Sequence, residues 1–165
     1  MPSEYIIYMS AFIIGILTLS AFSATYRNLD DQANQIVANQ TLQSLVQDIA
    51  GKIQNLYQQI YYLILNYGNN TTFKTSISLS LPSKVQNEYY RIRVVVDGMT
   101  GETQTLQVRA YYERDLNNIV CNHNAFVDAH TTTVNGEFIS LDNVHEILLS
   151  YDGAGNFNLT LQSNP

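Results

Sequence analysis

The longest uncharged stretch of the chain lies near its start. Residues 5–26 read YIIYMSAFIIGILTLSAFSATY, and the flanking charges are Glu4 and Arg27. A helix of this length spans about 30 Å, the thickness of the hydrocarbon core of a bilayer. Water cannot solvate such a surface, so residues 1–26 are predicted to form an apolar helix that is covered by lipid or by a sheath of like helices. The side chains expected to contact that environment are Ile6, Ile7, Phe12, Ile13, Ile14, Ile16, Leu17, Leu19 and Phe22.

A second pattern follows in residues 27–67, where apolar residues recur every three or four positions and polar residues fill the other face. No proline occurs from residue 3 to residue 67. The sequence therefore predicts a helix over 5–66, with any break near Gly15, residues 27–30 or Gly51. The predicted stripe is Ala33, Val37, Thr41, Leu45, Ile49, Ile53, Leu56, Ile60 and Ile64. The positions expected to pack on the rest of the chain are Leu45, Ile49, Ile53, Leu56 and Ile60.

Residues 68–165 read as short strands with no helical periodicity. Alternating apolar and polar residues predict strands over 71–81, 88–96 and 103–111, and the last two are joined by a glycine-containing turn. The pair Asn135-Gly136 predicts another hairpin. Further strands are expected at 119–121, 125–129, 145–151 and 157–161. The strand residues expected to be buried against the helix are Ile77, Leu79, Ile92, Val94, Val108, Ile147 and Leu149.

These elements together predict an α+β fold. The long N-terminal helix has an apolar half and then an amphipathic half, and the second half packs on a sandwich-like all-β head. The expected outline is that of a lollipop, with residues 1–26 bare, residues 27–67 on the head, and residues 68–165 forming the head itself.

Charge and motifs exclude several classes of function. The net charge is −6, only 13% of residues are charged, and no run of Lys or Arg occurs, so nucleic acid is not an expected partner. The single cysteine, Cys121, cannot form an intramolecular disulfide and is expected to be a small buried apolar residue. Cys121, His123, His130 and His145 match no standard zinc spacing. No catalytic or phosphate-binding motif occurs, and we expect no enzyme activity, metal or cofactor.

Two groups of surface residues are candidate functional positions. The triplets that begin at Asn39, Asn69, Asn70 and Asn158 fit the acceptor pattern for N-glycosylation. Three Tyr-Tyr pairs begin at residues 61, 89 and 111. In a strand, one member of such a pair faces the core and the other faces outward, so the outward rings are either cross-strand packing or contacts with another molecule.

An uncharged N-terminal helix, an amphipathic continuation and a small all-β head together resemble the archaeal type IV pilin-like proteins. That group includes adhesion pilins, archaellins and the anchored accessory subunits of the archaellum. The passage LSLPSKVQNEYYRIRV, residues 79–94, also resembles the first hairpin of such heads. The resemblance implies a structural subunit of an extracellular filament, inserted in the cytoplasmic membrane before assembly, with a role in adhesion or motility. Its implied partners are copies of itself and, for the anchored subunits, the surface-layer protein.

The start of the sequence departs from the pattern of this group. Pilins of this kind are made with a short basic leader, and no Lys or Arg precedes Arg27 here. Tyr5 stands at the fifth position, where the bacterial proteins carry an acidic residue. If Met1 is the translational start, an anchored accessory protein that binds the surface layer is favoured. If the numbering begins after processing, a filament subunit is favoured.

Overall fold

A computed structural model describes residues 2–100, 103–128, 131–142 and 144–164. Helix α1 (Pro2–Tyr67) is a single uninterrupted α-helix, which confirms the predicted helix and shows a break at none of the three expected places. It ends at Tyr67 and is followed by Gly68, which has a φ of 91° and donates its backbone N–H to the carbonyl oxygen of Ile64 at 2.8 Å. A glycine in this left-handed conformation is a common way to end a helix.

The chain divides into two compact units, residues 1–37 and residues 38–165. The described residues of the first unit, 2–37, are all helical. The second contains the rest of α1 and all the strands that the structure describes. Residues 38–67 of α1 therefore belong to the same folded body as the head.

The described strands form two four-stranded sheets. The order is β1-β7-β8-β5 in one sheet and β4-β3-β2-β6 in the other, and only β5 and β8 pair in parallel. Together with α1 they give the predicted α+β fold, a long helix packed on a β-sheet domain. The strands are β1 (Phe73–Leu79), β2 (Tyr90–Thr100), β3 (Thr103–Tyr112), β4 (Cys121–Asp128), β5 (Thr131–Gly136), β6 (Phe138–Ile139), β7 (Val144–Tyr151) and β8 (Asn156–Asn164).

One hydrophobic core joins α1 to both sheets. Of the strand residues expected in it, Leu79, Ile92, Val94, Val108, Ile147 and Leu149 are buried and Ile77 is half-buried against the cluster. The largest buried side chains of the second sheet are Tyr90, which strand alternation places on the same face as Ile92 and Val94, and Phe138, which the sequence did not assign. The helix contributes Ala38, Leu42, Val46, Ile49, Ala50, Ile53, Leu56, Tyr57 and Ile60.

The N-terminal part of the predicted helix stripe was wrong. Ala33, Val37 and Thr41 are exposed and Leu45 is only half-buried, whereas Leu42 and Val46 are fully buried. Two rows of apolar residues at three- and four-residue spacing run through this part of α1. Periodicity alone cannot say which row the sheets will cover. From Ile49 to Ile60 the predicted row is buried, and Ile64, at its end, is half-buried against the core.

The predicted hairpin at Asn135-Gly136 was also wrong. β5 ends at Gly136 and pairs with β8, while β6 begins two residues later and pairs with β2 in the other sheet. Glycine is required there because of its backbone conformation and its close contact with the paired strand β8. Its φ is 84°, and a Cβ atom at this position would lie 2.1 Å from the carbonyl oxygen of Leu161.

The resemblance of residues 79–94 to a hairpin was not reproduced either. β1 and β2 lie in different sheets, and β1 pairs with β7. The hairpin of β2 with β3, in contrast, is present, with Val94 opposite Val108. β4 is one continuous strand where two segments were expected.

Replacing Gly136 with alanine is expected to destabilise the head by at least about 1 kcal/mol, because the new methyl group meets the backbone of Leu161 and the residue must keep a positive φ. Gly51→Ala is the matched control. Gly51 lies within α1, and a methyl group added there would have open space around it, so alanine should stabilise the helix by about 0.5–1 kcal/mol. Urea denaturation gives both values, and equal effects of the two changes would contradict the account.

An ion-pair network stabilises the segment in which the chain passes from β5 in one sheet to β6 in the other. Glu137 lies between β5 and β6 and bonds to Arg91 at 2.6 Å (Oε1 to Nη1) and to Arg93 at 2.5 Å (Oε2 to Nε). Arg91 also binds Glu113 with two of its nitrogens. These bonds from Arg91 hold the pKa of Glu113 below its ordinary value of 4.5. Burial raises the pKa of Glu137, but the bonds from Arg93 and Arg91 outweigh burial, and the pKa is lowered.

The head is therefore expected to lose stability in acid. A carboxyl whose pKa is lower in the folded state than in the unfolded state stabilises the fold above its unfolded pKa. That contribution is lost as the pH falls through the folded value. The free energy of unfolding should decrease from about pH 5 to about pH 3, and the double variant Glu113→Gln, Glu137→Gln should flatten this slope. The control is Asp97→Asn, which removes an exposed carboxylate of β2 that belongs to none of these ion pairs, and the flattening is measured against it.

Candidate assembly surface

Within the first unit, residues 5–26 carry no charge, and their large apolar side chains are exposed. All nine large residues predicted to contact lipid or other subunits are at least 50% exposed, from Ile13 and Ile16 at 50% to Leu19 at 76%. Such a surface is far larger than the apolar patches that soluble monomers leave open. We define the assembly surface as the exposed face of residues 5–26.

Hydroxyl groups on this helix are satisfied by the helix itself. Thr18 donates to the carbonyl oxygen of Ile14 at 2.6 Å, and Ser20 donates to that of Ile16 at 2.8 Å. Ser10 and Thr25 make equivalent bonds to carbonyl oxygens three and four residues earlier. Because each of these hydroxyls already has a partner, burying them in an apolar environment carries little desolvation penalty.

Among the described residues, α1 is also the helix long and apolar enough to cross a membrane. Its Tyr5–Tyr67 stretch contains an 18-residue window with a mean hydropathy of 2.0, and none of that window is buried within the protein. Length and composition are thus compatible with membrane insertion near the N-terminus.

The five positions expected to pack on the head lie where the sheets meet α1. Ile49, Ile53 and Ile60 have no exposed surface, Leu56 is 2% exposed, and Leu45 lies half-buried at the margin of the core. They hold the second unit together and are absent from the assembly surface.

The four candidate glycosylation positions differ in their surroundings. Asn69 and Asn70 are exposed in the turn after α1, the location most open to a modifying enzyme. The side chain of Asn39 accepts a hydrogen bond from the hydroxyl of Tyr112 at 3.3 Å. The side chain of Asn158, on β8, accepts one from the amide of Asn135 at 2.9 Å. Use of any of them stays a prediction.

The cysteine and histidines are dispersed. Cys121 is half-buried against the core, and burial raises the pKa of its thiol to about 11. His123 is exposed, whereas His145 is buried, with Nε2 donating to the carbonyl oxygen of Ile139 at 2.9 Å. His130 lies outside the described residues. Within the described ranges, no three His, Cys, Asp or Glu side chains are grouped so that they could hold a metal ion.

A groove on the head was not foreseen from the sequence. Its floor is formed by Tyr57 and Val127, and its walls by Tyr61, Tyr62 and Leu65 of α1 facing Phe126 of β4. These four wall residues are between 50% and 68% exposed. Of the other tyrosine pairs, Tyr90 and Tyr111 are buried while Tyr89 and Tyr112 are more open, as the alternation of a strand predicts. The pair Tyr61-Tyr62, which lies in α1, is exposed at both positions.

Comparisons with protein-family models, with curated proteins and with solved structures found no match to this chain. Its function is therefore inferred from its own residues and their geometry.

Proposed function

We propose that the chain is a structural subunit of an archaeal type IV pilus-like extracellular filament, in which the residues 5–26 of many copies bundle into the core. The observation that carries this proposal is the assembly surface, a long helix whose large apolar side chains are all uncovered. Copies of the same helix can cover it in a head-to-tail arrangement that need not close.

The composition of the helix supports a protein environment. Ser10, Gly15, Thr18 and Ser20 are small, and a methyl group at Gly15 would meet nothing within 4 Å, so another helix can approach closely there. The head is rich in uncharged polar residues, and its copies can pack side by side with little like-charge repulsion.

A second candidate function rests on the same helix. One segment of membrane-spanning length and hydropathy is also what a single anchored protein needs. In that case the β head is a binding module held at the cell surface, with the surface-layer protein as its proposed partner. Insertion in the cytoplasmic membrane before assembly is common to both proposals.

Fractionation of the native cells separates the two functions. Shearing releases surface filaments, and a filament subunit should then pellet with them as long polymers that an antibody to the head labels along their length. An anchored module should stay with the membrane and dissolve in detergent as single copies. Recovery of the protein only in the second form would contradict the filament proposal.

A further inference from the structure

The groove between α1 and β4 has the spacing of side chains that suits the binding of a helix. It encloses about 250 Å³, and on the helical side its lining residues Gln54, Gln58, Tyr61 and Leu65 follow one another at intervals of four, three and four. Side chains at that spacing form a ridge on α1, and such a ridge can pack into the groove between side-chain rows of a second helix. The opposite wall is Phe126, whose carbonyl oxygen accepts a hydrogen bond from Gln54 at 3.3 Å.

The floor of the groove is fixed. Tyr57 is 4% exposed, and its hydroxyl donates to Oγ1 of Thr132 at 3.0 Å. Its ring also packs against Phe157 with 5.1 Å between the ring centres. The groove is therefore preformed, and a helix that binds there does not have to order the side chains of its floor.

A stripe of matching spacing lies on residues 22–36. Phe22, Tyr26, Leu29, Ala33 and Ile36 follow at intervals of four, three, four and three, and all are exposed. This pattern places them on one face of a helix.

Lipid cannot cover this stripe well, because its flanks are polar. Arg27, Asp30 and Asp31 interrupt the segment, and charges of this kind are costly inside a hydrocarbon core. A surface that is apolar at its centre and polar at its rim suits the segment better. The groove has this character, with Tyr62 and Leu65 in its walls and Gln54 and Gln58 at its edge.

We infer that the stripe of residues 22–36 of one copy lies in the groove between α1 and β4 of a second copy. This inference rests on the proposed filament, since assembly brings the two surfaces together. In helix-in-groove contacts, the anchoring side chains recur at intervals of three and four residues. The stripe and the α1 side of the groove both have this spacing. The five side chains of the stripe are uncharged, and Asp128 is the one charged residue among the described residues that line the groove.

Cross-linking between engineered cysteines tests the contact in assembled filaments. Cys121→Ala removes the native thiol, and Phe126→Cys places a new thiol on the wall of the groove. The stripe can lie in the groove in registers that differ by one helical turn. Phe126→Cys is therefore combined separately with Leu29→Cys, Ala33→Cys and Ile36→Cys. Treatment of filaments with a short bifunctional maleimide should give a ladder of covalent oligomers on a denaturing gel for at least one pair.

Matched controls decide what the ladder means. Asp31→Cys and Gln35→Cys lie on the same turns as the stripe but off its face, and their pairs with Phe126→Cys should give no ladder. Equal ladders on and off the stripe, or none from any stripe pair in intact filaments, would overturn the inference. A cross-link between stripe cysteines in filaments that lack Phe126→Cys would also overturn the inference, because the stripe of one copy would then contact the stripe of another. If no filaments form at all, the proposed function fails instead.

Discussion

Ile14→Lys is expected to abolish assembly while the head stays folded. Ile14 lies at the middle of the assembly surface and is 63% exposed in the single chain, so its side chain meets whatever covers the helix. A lysine at the centre of an apolar helix costs about 2.5–3.5 kcal/mol on insertion scales. In a filament, the cost recurs in every subunit and the charges repel each other. Residues 38–165 form a separate compact unit, so their fold should not sense the change.

The measurement pairs electron microscopy with near-ultraviolet circular dichroism. Wild-type protein and the control Ile14→Leu should form filaments on removal of detergent, and Ile14→Lys should form none. The tyrosine signal of the head should be the same in all three. Normal filaments from Ile14→Lys would show that this face of the helix is not buried in the assembled state.

Ile53→Ala is expected to lower the free energy of unfolding of the head by about 2–5 kcal/mol. Ile53 has no exposed surface and lies in the core shared by α1 and both sheets. Removing most of its side chain leaves a cavity that the surrounding sheets can fill only in part. Losses of this size are a large fraction of the stability of a small domain.

Urea denaturation of the full chain in mild detergent, followed by the tyrosine dichroism, measures this loss. The control is Gln47→Ala, an exposed position on the same helix that should change stability by no more than about 0.5 kcal/mol. A loss below about 1 kcal/mol for Ile53→Ala would mean that the contact of α1 with the sheets contributes little to the fold.

Features set by neighbouring residues could be predicted from the sequence. The helix needed only an unbroken run without proline, and the β2–β3 hairpin needed only two alternating strands around a short turn. The assembly surface was predictable for the same reason, since residues 5–26 carry no charge and consist mainly of large apolar residues wherever the head lies.

Features set by distant residues could not be predicted. The Asn135-Gly136 pair looks like a hairpin because the signal is local, but the parallel pairing of β5 with β8 brings the carbonyl of Leu161 against Gly136. The row of α1 that is buried between residues 38 and 46 depends on which face the sheets cover. The groove needed Phe126 of β4 to be placed beside Tyr62 of α1, and no spacing along the chain indicates that.

The central claim is that copies of the chain cover the apolar helix of one another. Electron cryomicroscopy of the purified full chain after removal of detergent, with and without added lipid vesicles, tests it most directly. The account predicts filaments in both samples, with residues 5–26 in a continuous core of helices and the heads outside. Monomers spread in the vesicle bilayer at every protein concentration, with lipid around each helix, would contradict the filament and leave the anchored binding module in its place.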